Sequence, residues 1–474
     1  MNKQKITYAL TTAAFLGSAA LFPAFASDTQ VAGNGAFSNT DVQTNSSNAT
    51  NVNQNNTSAV TNNVQTTANT GNNSASFNTG SSVNVVTGGA NTTVGIANMT
   101  GSNTAAVVGG SNGGGQNTAV AGNGAFSDNN VQTTNTNSTA LNQTNTAALT
   151  NNVNVANNTG NNSANFNTGS DVNVYTGNAN ASVGLYNATG GNAATVVGSG
   201  NGGGQNTAVA GNGAFSNNNV SSSSNNSTSL TQSDITTLAN NVFLKNSTGG
   251  NGASFNTGST VSILSGNANA QVGITNLAGG NSATVFGAGS DGWINTYLVG
   301  NGAFSTNNVS ERNSLRTALT QNNLTYVANY IDSMNTTGNN NAGFNTGSNV
   351  LVASGNANSW VSLFNTPGVN VAYLLGGNGG GNTNTQVLGN GAFSNNNVWN
   401  MMDTSTWLNQ NNTSSIMNNV SSKNNTGGNK DAFGTGGLLG FLSYLMPSSS
   451  LTDSGNASTG LSVNNLASAN YLAY

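Results

Sequence analysis

The sequence contains no cysteine and no histidine, and charged residues make up only 4% of its 474 positions. Without cysteine no disulfide framework can stabilise the chain, and without histidine the commonest catalytic base is missing. Average soluble domains carry roughly 25% charged residues. Neutral amides and hydroxyls must therefore keep this chain in solution, and asparagine alone accounts for about one residue in five.

The few charged residues that are present do not form a pattern typical of a site. No two of the eleven acidic residues lie within two positions of each other, whereas acid–base and metal chemistry needs clustered groups. We therefore expect no catalytic, cofactor-binding or metal-binding residues and no cofactor. Distant residues can still converge, so a polysaccharide-acting β-helix enzyme stays open as an alternative. The sequence has no basic patch of the kind that would indicate a nucleic-acid partner.

The N-terminus has the features of a secretory signal peptide. Lys3 and Lys5 precede a mostly apolar stretch, Tyr8–Phe22, and Ala24-Phe25-Ala26 fits a small-residue cleavage site. Residues 1–26 are predicted to be removed, and the protein is predicted to be secreted or displayed at the cell surface. Without the two lysines the mature chain has a formal charge of 5 − 11 = −6.

The most informative feature is a repeat of constant length. The hexapeptide GNGAFS starts at positions 33, 122, 211, 300 and 389, so successive copies are 89 residues apart. A second motif, FNTGS, recurs with the same spacing, and the fifth copy has FGTGG. Because disordered tracts tolerate insertions, this fixed spacing predicts one folded body of five repeats, at about 31–119, 120–208, 209–297, 298–386 and 387–474.

Apolar and amide positions recur within every repeat, which predicts a repeated core and a repeated ladder. The predicted core consists of the phenylalanines of the two motifs, namely Phe37, Phe126, Phe215, Phe304 and Phe393 with Phe77, Phe166, Phe255, Phe344 and Phe433. The predicted ladder is a row of stacked glutamines, namely Gln54, Gln143, Gln232, Gln321 and Gln410.

Within a repeat the hydrophobic period is two. In Ser170–Asn187, valine, alanine and leucine alternate with small polar residues, which is typical of half-buried strands. Thr-Gly pairs follow one another at spacings of nine and eight residues and suggest tight turns. They favour a coil of about 18 residues, with about 22 as the alternative. On this basis Phe166 is expected in the core and Asn187 at a turn.

Leu315–Met334 is ambiguous because its apolar residues fall close to helical spacing. The equivalent segment Asn51–Val64 is too rich in asparagine and threonine for a helix, so strands are predicted in all five copies. Together these patterns predict an all-β chain, a parallel β-solenoid of short strands whose stacked asparagines form amide ladders. About 25 coils spaced about 4.8 Å apart would make a rod about 120 Å long.

The motif NTGNNSANFNTGSDVNVYTGNA at residues 158–179, behind a signal peptide, resembles the Asn/Gly-rich β-solenoid repeat surface proteins of candidate-phyla bacteria with reduced genomes. The resemblance covers the chain from about residue 31 and implies an exported solenoid at the cell surface. The stacked rows of amide side chains also resemble those of curlin-type repeats, although curlin units are much shorter.

The last repeat departs from the others. Eleven extra residues follow Phe433 and carry the apolar segment Gly437–Pro447, which is too short to span a bilayer as a helix. It is expected to be a cap over the last coil or a docking segment for another subunit or the cell envelope, since an open solenoid end is a sheet edge.

The predicted function is structural and adhesive, that of a stiff rod or fibre subunit used for attachment or as part of an envelope or matrix. The expected partners are further copies stacked end to end, and a cell-envelope or host ligand of unknown identity. An ice-binding solenoid is the second alternative, although no T-x-T rank persists through all five copies.

Overall fold

The computed structural model describes residues 27–32, 35–80, 82–110, 116–169, 171–198, 205–257, 260–287, 294–346, 349–375, 383–431 and 449–473. The described residues form β-strands and no helix. The strands assemble into five sheets of five strands each, and every repeat contributes one strand to each sheet. The all-β prediction is therefore confirmed.

We number the sheets in the order in which a repeat enters them, and call the second the long sheet because its strands have 31 residues each. The first sheet contains β1 (Ser27–Ala32), β6 (Gln116–Ala121), β11 (Gln205–Ala210), β16 (Ile294–Val299) and β21 (Thr383–Leu388). The long sheet contains β2 (Asn39–Asn69), β7 (Asp128–Asn158), β12 (Asn217–Ser247), β17 (Thr306–Thr336) and β22 (Asn395–Asn425).

The three remaining sheets are built from shorter strands. The third contains β3 (Ser82–Val86), β8 (Asp171–Tyr175), β13 (Thr260–Leu264), β18 (Asn349–Ala353) and β23 (Ser449–Asp453). The fourth contains β4 (Ala90–Met99), β9 (Ala179–Ala188), β14 (Ala268–Leu277), β19 (Ala357–Thr366) and β24 (Ala457–Asn465). The fifth contains β5 (Asn103–Val108), β10 (Asn192–Val197), β15 (Asn281–Phe286), β20 (Asn370–Leu375) and β25 (Asn470–Ala473).

Each coil of the solenoid is one complete repeat. All strand pairs are parallel, and paired residues are 89 positions apart, as in Val42 with Val131 and Val131 with Val220. The last three strands of the fifth repeat are the exception, with an interval of 100 residues. The parallel β-solenoid is confirmed, but the predicted coil of about 18 residues is wrong, and so is the alternative of about 22. The prediction of short strands fails for the long sheet, whose strands have 31 residues each. The stack therefore has five coils, which we number 1 to 5 in chain order, and a height of only about 20 Å at the usual spacing of parallel strands.

The coil is long and flat. A strand of 31 residues extends for about 100 Å. Neighbouring long strands stay paired over their whole length, from Asn39 with Asp128 to Asn69 with Asn158. A rotation of the usual 20° between neighbouring strands would separate their ends by many ångströms and break this pairing. The long sheet must therefore be nearly untwisted.

Each coil folds back on itself to make two layers. Across the core Thr44 meets Thr118 of the first sheet, Gln54 meets the Thr104 carbonyl of the fifth sheet, and Asn62 meets Asn98 of the fourth. Residue numbers increase along the long strand from 44 to 62, whereas those of the facing residues decrease from 118 to 98. The long strand therefore runs antiparallel to the returning chain. The long sheet forms one layer, and the fourth, fifth and first sheets form the other.

The core lies between these layers and is interrupted by polar rows. Along β7 burial alternates almost perfectly, as the period of two predicts. Its buried side chains include Val131, Leu141, Leu149 and Val153, which belong to separate apolar clusters. Buried asparagines and Gln143 lie between the clusters, so the core consists of apolar columns separated by amide columns.

The ambiguous segment Leu315–Met334 lies within β17 and is strand, as predicted. In coil 5 the pairing offset changes from 89 residues, for Asn341 with Lys430, to 100 residues, for Asn349 with Ser449. The eleven extra residues are therefore inserted between Lys430 and Ser449, and the stack resumes after them. The apolar segment Gly437–Pro447 itself lies outside the described residues.

Candidate functional site in the side-chain ladders

The predicted glutamines stand directly above one another at the centre of the molecule. Each Nε2 donates to the Oε1 of the glutamine one coil earlier, over 2.7 Å from Gln143 to Gln54 and 2.8 Å from Gln232 to Gln143. The same pattern continues through Gln321 to Gln410. Each Nε2 also donates to a backbone carbonyl of the fifth sheet, such as that of Ala193. The ladder thus joins the coils to one another and the two layers to each other.

A second amide ladder is double. One column consists of Asn62, Asn151, Asn240, Asn329 and Asn418, and the facing column consists of Asn98, Asn187, Asn276, Asn365 and Asn465. Asn187 is completely buried and donates to Asn240 and Asn276 while it accepts from Asn98 and Asn151. Its expected position at a turn is therefore wrong.

An amide can fill such a column because it carries a donor and an acceptor and no charge. Stacked lysine or aspartate side chains would repel. The sequence signal for this column was available, since the five residues equivalent to Asn62 are all asparagine, 89 positions apart. Stacked asparagines were predicted, but this column was not singled out because inward positions were expected to be apolar.

The phenylalanines predicted as the core lie at the surface. Their described members are 48–81% exposed, namely Phe37, Phe126, Phe215, Phe304 and Phe393 in one row and Phe77, Phe166, Phe255 and Phe344 in the other. Phe433 lies outside the described residues. The physical reason is backbone geometry, because each of these residues has a positive φ of 55° to 63° at a corner of the coil. This turns the side chain out of the in–out alternation.

Each phenylalanine row forms a stack. Ring centroids of neighbouring coils are 4.9–5.1 Å apart, and most ring pairs are parallel within 5°. A bulky residue at positive φ is strained, so the ring contacts help to hold it there. The rings present their edges to solvent and their faces to one another, which makes these rows structural corner ladders.

Two acidic side chains occupy inward rows. The carboxylate of Asp234 accepts a hydrogen bond from Asn145 over 2.6 Å, and burial raises its pKa to about 6. Glu311 accepts one from Thr385 over 2.8 Å, and burial likewise raises its pKa. Asp234 replaces the asparagine that stands at the same position in the other four coils. The two acids lie in different rows, and no group of three potential metal ligands occurs among the described residues.

The outward face of the long sheet does not support an ice-binding surface. The row that begins with Thr57 and Thr146 continues with Ile235 and Leu324 before threonine returns at position 413. A regular rank of hydroxyls is therefore interrupted by apolar side chains.

In the described part of the chain no helix is long and apolar enough to cross a membrane.

The two ends of the stack are the remaining candidate site. Within the described residues coils 1 and 5 each have one neighbour only, since β2 pairs with β7 alone and β22 with β17 alone. Their unpaired N–H and C=O groups and the last members of every ladder form two open faces.

No protein-family model, no curated protein and no solved structure matches the chain.

Proposed function

We propose that this chain is an exported structural subunit that stacks end to end into a stiff fibre, which serves in attachment or as part of an envelope or matrix. The observation that carries the proposal is the match between the open face of coil 5 and the open face of coil 1. Export rests on the sequence features of residues 1–26.

The apolar columns of the two faces continue one another. Coil 5 ends these columns with Val398, Leu408 and Val420, and coil 1 begins them with residues 42, 52 and 64, all valine. Val398 is 48% exposed, whereas Val131, Val220 and Val309 in the middle coils are at most 3% exposed. A second copy placed one strand spacing beyond coil 5 would bury Val398 as the middle valines are buried.

The ends of the amide ladders are complementary as well, because a free acceptor at one end of the stack matches a free donor at the other. At the centre, each glutamine donates to the one in the preceding coil, which leaves the Oε1 of Gln410 without a following donor. Gln54 uses its Nε2 for the Thr104 carbonyl alone, so one N–H is left for Gln410 of another copy. The Asn62 column runs in the opposite direction, and its open acceptor at Asn62 would face the Asn418 amide.

The phenylalanine corner shows the same match. Phe37 and Phe393 are 76% and 81% exposed, whereas the three rings between them are 50% exposed. Stacking Phe393 on Phe37 of the next copy would make the row continuous. An edge as long as an entire coil, with unpaired backbone groups, is a strong template for pairing.

The test is electron microscopy of the purified chain from Ser27. We expect unbranched fibres many times longer than one stack, with an axial diffraction spacing of about 4.8 Å. Val398→Lys should yield single particles because an ammonium group would be buried between copies. Asn397→Lys, the adjacent outward residue, should still yield fibres. Single five-coil particles from the unmodified chain at high concentration would refute the proposal.

A further inference from the structure

The outward face of the long sheet changes character along the stack. In β2 and β7 no large apolar side chain is exposed on it. In β12, β17 and β22 the same face carries exposed aromatic, leucine and methionine side chains, among them Phe243, Leu324, Tyr330, Met334, Trp407 and Met417. We call this area of coils 3 to 5 the apolar face. Aromatic residues and methionine are enriched at protein interfaces, and contiguous exposed apolar patches mark interaction sites.

We propose that the apolar face packs against the apolar face of a second copy of this chain, with the long strands antiparallel and a two-fold axis beside Leu324. The axis runs along the stacking direction, so coil 4 faces coil 4 and coil 5 faces coil 5. This lateral pairing is separate from end-to-end stacking, because it uses the side of the stack and not its ends.

The charged residues fix this arrangement. Around the axis, a residue that lies n positions before Leu324 faces the residue n positions after it in the second copy. Arg316 lies eight positions before Leu324 and Asp332 lies eight positions after it. Each arginine therefore faces the opposite carboxylate, and the two-fold symmetry makes the contact twice.

The same axis pairs the charges of the next coil. The residue aligned with Leu324 in coil 5 is Thr413. Asp403 lies ten positions before it and Lys423 ten positions after it. Two opposite-charge pairs from separate coils thus share one axis. The two other basic residues of the face, Arg312 and Lys245, face the neutral residues Thr336 and Asn225 of the second copy.

These pairs cannot form within one copy. Along an extended strand Arg316 and Asp332 are separated by about 50 Å. Within the described chain Asp332 has one carboxylate oxygen that is shielded from solvent and accepts no hydrogen bond. An arginine supplied by a second copy would pair with this carboxylate and balance its charge.

Shape is complementary about the same axis. Tyr330, six positions after Leu324, faces Ala318, and Trp407, six positions before Thr413, faces Asn419. In coil 3 the residue aligned with Leu324 is Ile235. Phe243 lies eight positions after it and faces Ser227, which lies eight positions before it. Each of these three large side chains is opposed by a smaller one, so the two faces can interdigitate as the inner faces of packed sheets do.

The size of the face suits a stable contact. The segment from Arg312 to Thr336 in three coils covers about 80 Å by about 14 Å. Two such areas bury about 2,200 Å² in total, at or above the size of standard specific interfaces. The untwisted sheet keeps both ends of the face in register. A lipid surface fits less well because it would leave Asp332 and Asp403 unpaired in apolar surroundings.

The test uses the absence of cysteine from the native chain. Leu324→Cys places one thiol of each copy at the axis, whereas Ala318→Cys places the two thiols about 40 Å apart. Under mild oxidation we expect a dimer band from Leu324→Cys at least about tenfold stronger than from Ala318→Cys. In copies stacked end to end, the thiols introduced by Leu324→Cys are about 24 Å apart, too far for a disulfide. Equal bands from the two variants would overturn the proposal.

A charge exchange tests the pairing itself, in the Val398→Lys background that prevents stacking. Arg316→Glu and Asp332→Arg should each weaken the dimer at least about tenfold in sedimentation equilibrium, since like charges would face each other. The double variant should restore most of the affinity. Failure of the double variant to recover, with circular dichroism unchanged, would refute the axis. Binding of phosphatidylcholine vesicles without cross-linking would assign the face to a membrane instead.

Discussion

At the scale of single residues, the buried amides contribute more specific interactions than the phenylalanines. Asn187 makes four side-chain hydrogen bonds in a column that solvent does not reach. Phe166 makes two ring contacts at an exposed corner. Losing an amide leaves its former partners unsatisfied as well, and each unsatisfied buried group costs about 1–3 kcal/mol.

We therefore expect Asn187→Asp to lower the free energy of unfolding by several kcal/mol, because the carboxylate replaces two donors and adds a buried charge. Phe166→Asp should cost less. Asn142→Asp is the matched control, since Asn142 forms an exposed outward ladder with Asn53. Urea unfolding of the three variants measures the order. A larger loss for Phe166→Asp than for Asn187→Asp would contradict the assignment of the two rows.

Asp234 interrupts one amide column. It accepts from Asn145, but both polar atoms of Asn323 in the next coil have no hydrogen-bond partner. A protonated carboxyl has one O–H donor, as an amide has N–H donors, and could continue the column. The charged form has no donor and is buried, so the folded state favours protonation.

This gives a pH dependence with a definite sign. The pKa of Asp234 rises from 3.8 to about 6 on folding, so stability falls as the pH rises from about 4 to above 6. Asp234→Asn should raise the free energy of unfolding at pH 7 by up to about 3 kcal/mol and have little effect at pH 4. The remaining slope is expected from Glu311, whose pKa is also raised. Asp128→Asn, at an exposed position of β7, is the control. Equal effects of Asp234→Asn at both pH values would disprove this account.

At the scale of elements, the strands could be predicted from the sequence but the coil could not. The period of two identified strands in most of the repeat, because alternation is a local property. In Leu315–Met334 the apolar spacing is close to helical, and only comparison with the equivalent segment Asn51–Val64 predicted a strand. The coil length depends on which distant segments pair, and Thr-Gly spacing suggested closure after two short strands. The constant 89-residue interval is itself the coil length, since stacked equivalent residues must be separated by one full coil.

The glutamine row could be found from repetition alone, whereas the phenylalanine rows were misplaced for a conformational reason. A phenylalanine in a strand would belong inside, but these residues sit at corners with positive φ. No pattern of hydrophobicity reports a backbone angle. The glycines beside them carry the better signal, since GNGAFS places a glycine two residues before each phenylalanine.

Those glycines allow the coils to approach closely at the corner. A Cβ added at Gly213 would lie 2.3 Å from the Ala125 backbone nitrogen of the preceding coil, whereas one at Gly184 would meet nothing within 4 Å. Gly213→Ala should therefore lower the unfolding free energy by about 3 kcal/mol or more, because backbone cannot move aside without breaking the stack. Gly184→Ala should be neutral or slightly stabilising in its strand. Thermal unfolding of both variants checks this, and similar midpoints would argue against close packing at the corner.

At the scale of the whole molecule, the solenoid is a thin slab about 100 Å long and about 20 Å high, in place of the long rod that a small coil implied. Each coil contacts mainly its neighbours, so stability is approximately a sum over coils and their interfaces. The slab has two open faces and one apolar side, and these are the surfaces through which it could be extended or paired.

The repeat length makes a counterintuitive prediction about deletions. Removing residues 205–293 takes out coil 3 completely, and β16 (Ile294–Val299) then follows residue 204 as β11 did before. Every ladder stays in register because the deleted length equals the pairing interval. The variant should fold into a four-coil stack with an unchanged β-signal in circular dichroism. Its urea m-value should be lower by about a fifth to a quarter, as the buried area decreases. The part of the pH dependence that comes from Asp234 should disappear.

Removing Thr228 alone should be more damaging than removing these 89 residues. Thr228 lies inside β12 and pairs with Thr139 and Thr317. After the deletion, the rest of the strand up to Ser247 would present its inward side chains to solvent and its outward ones to the core. The Gln232 and Asn240 ladders would both be broken. We expect a loss of several kcal/mol or a failure to fold, measured by urea unfolding beside the coil deletion. If the single deletion proved the milder change, coil-to-coil register would not be what holds this molecule together.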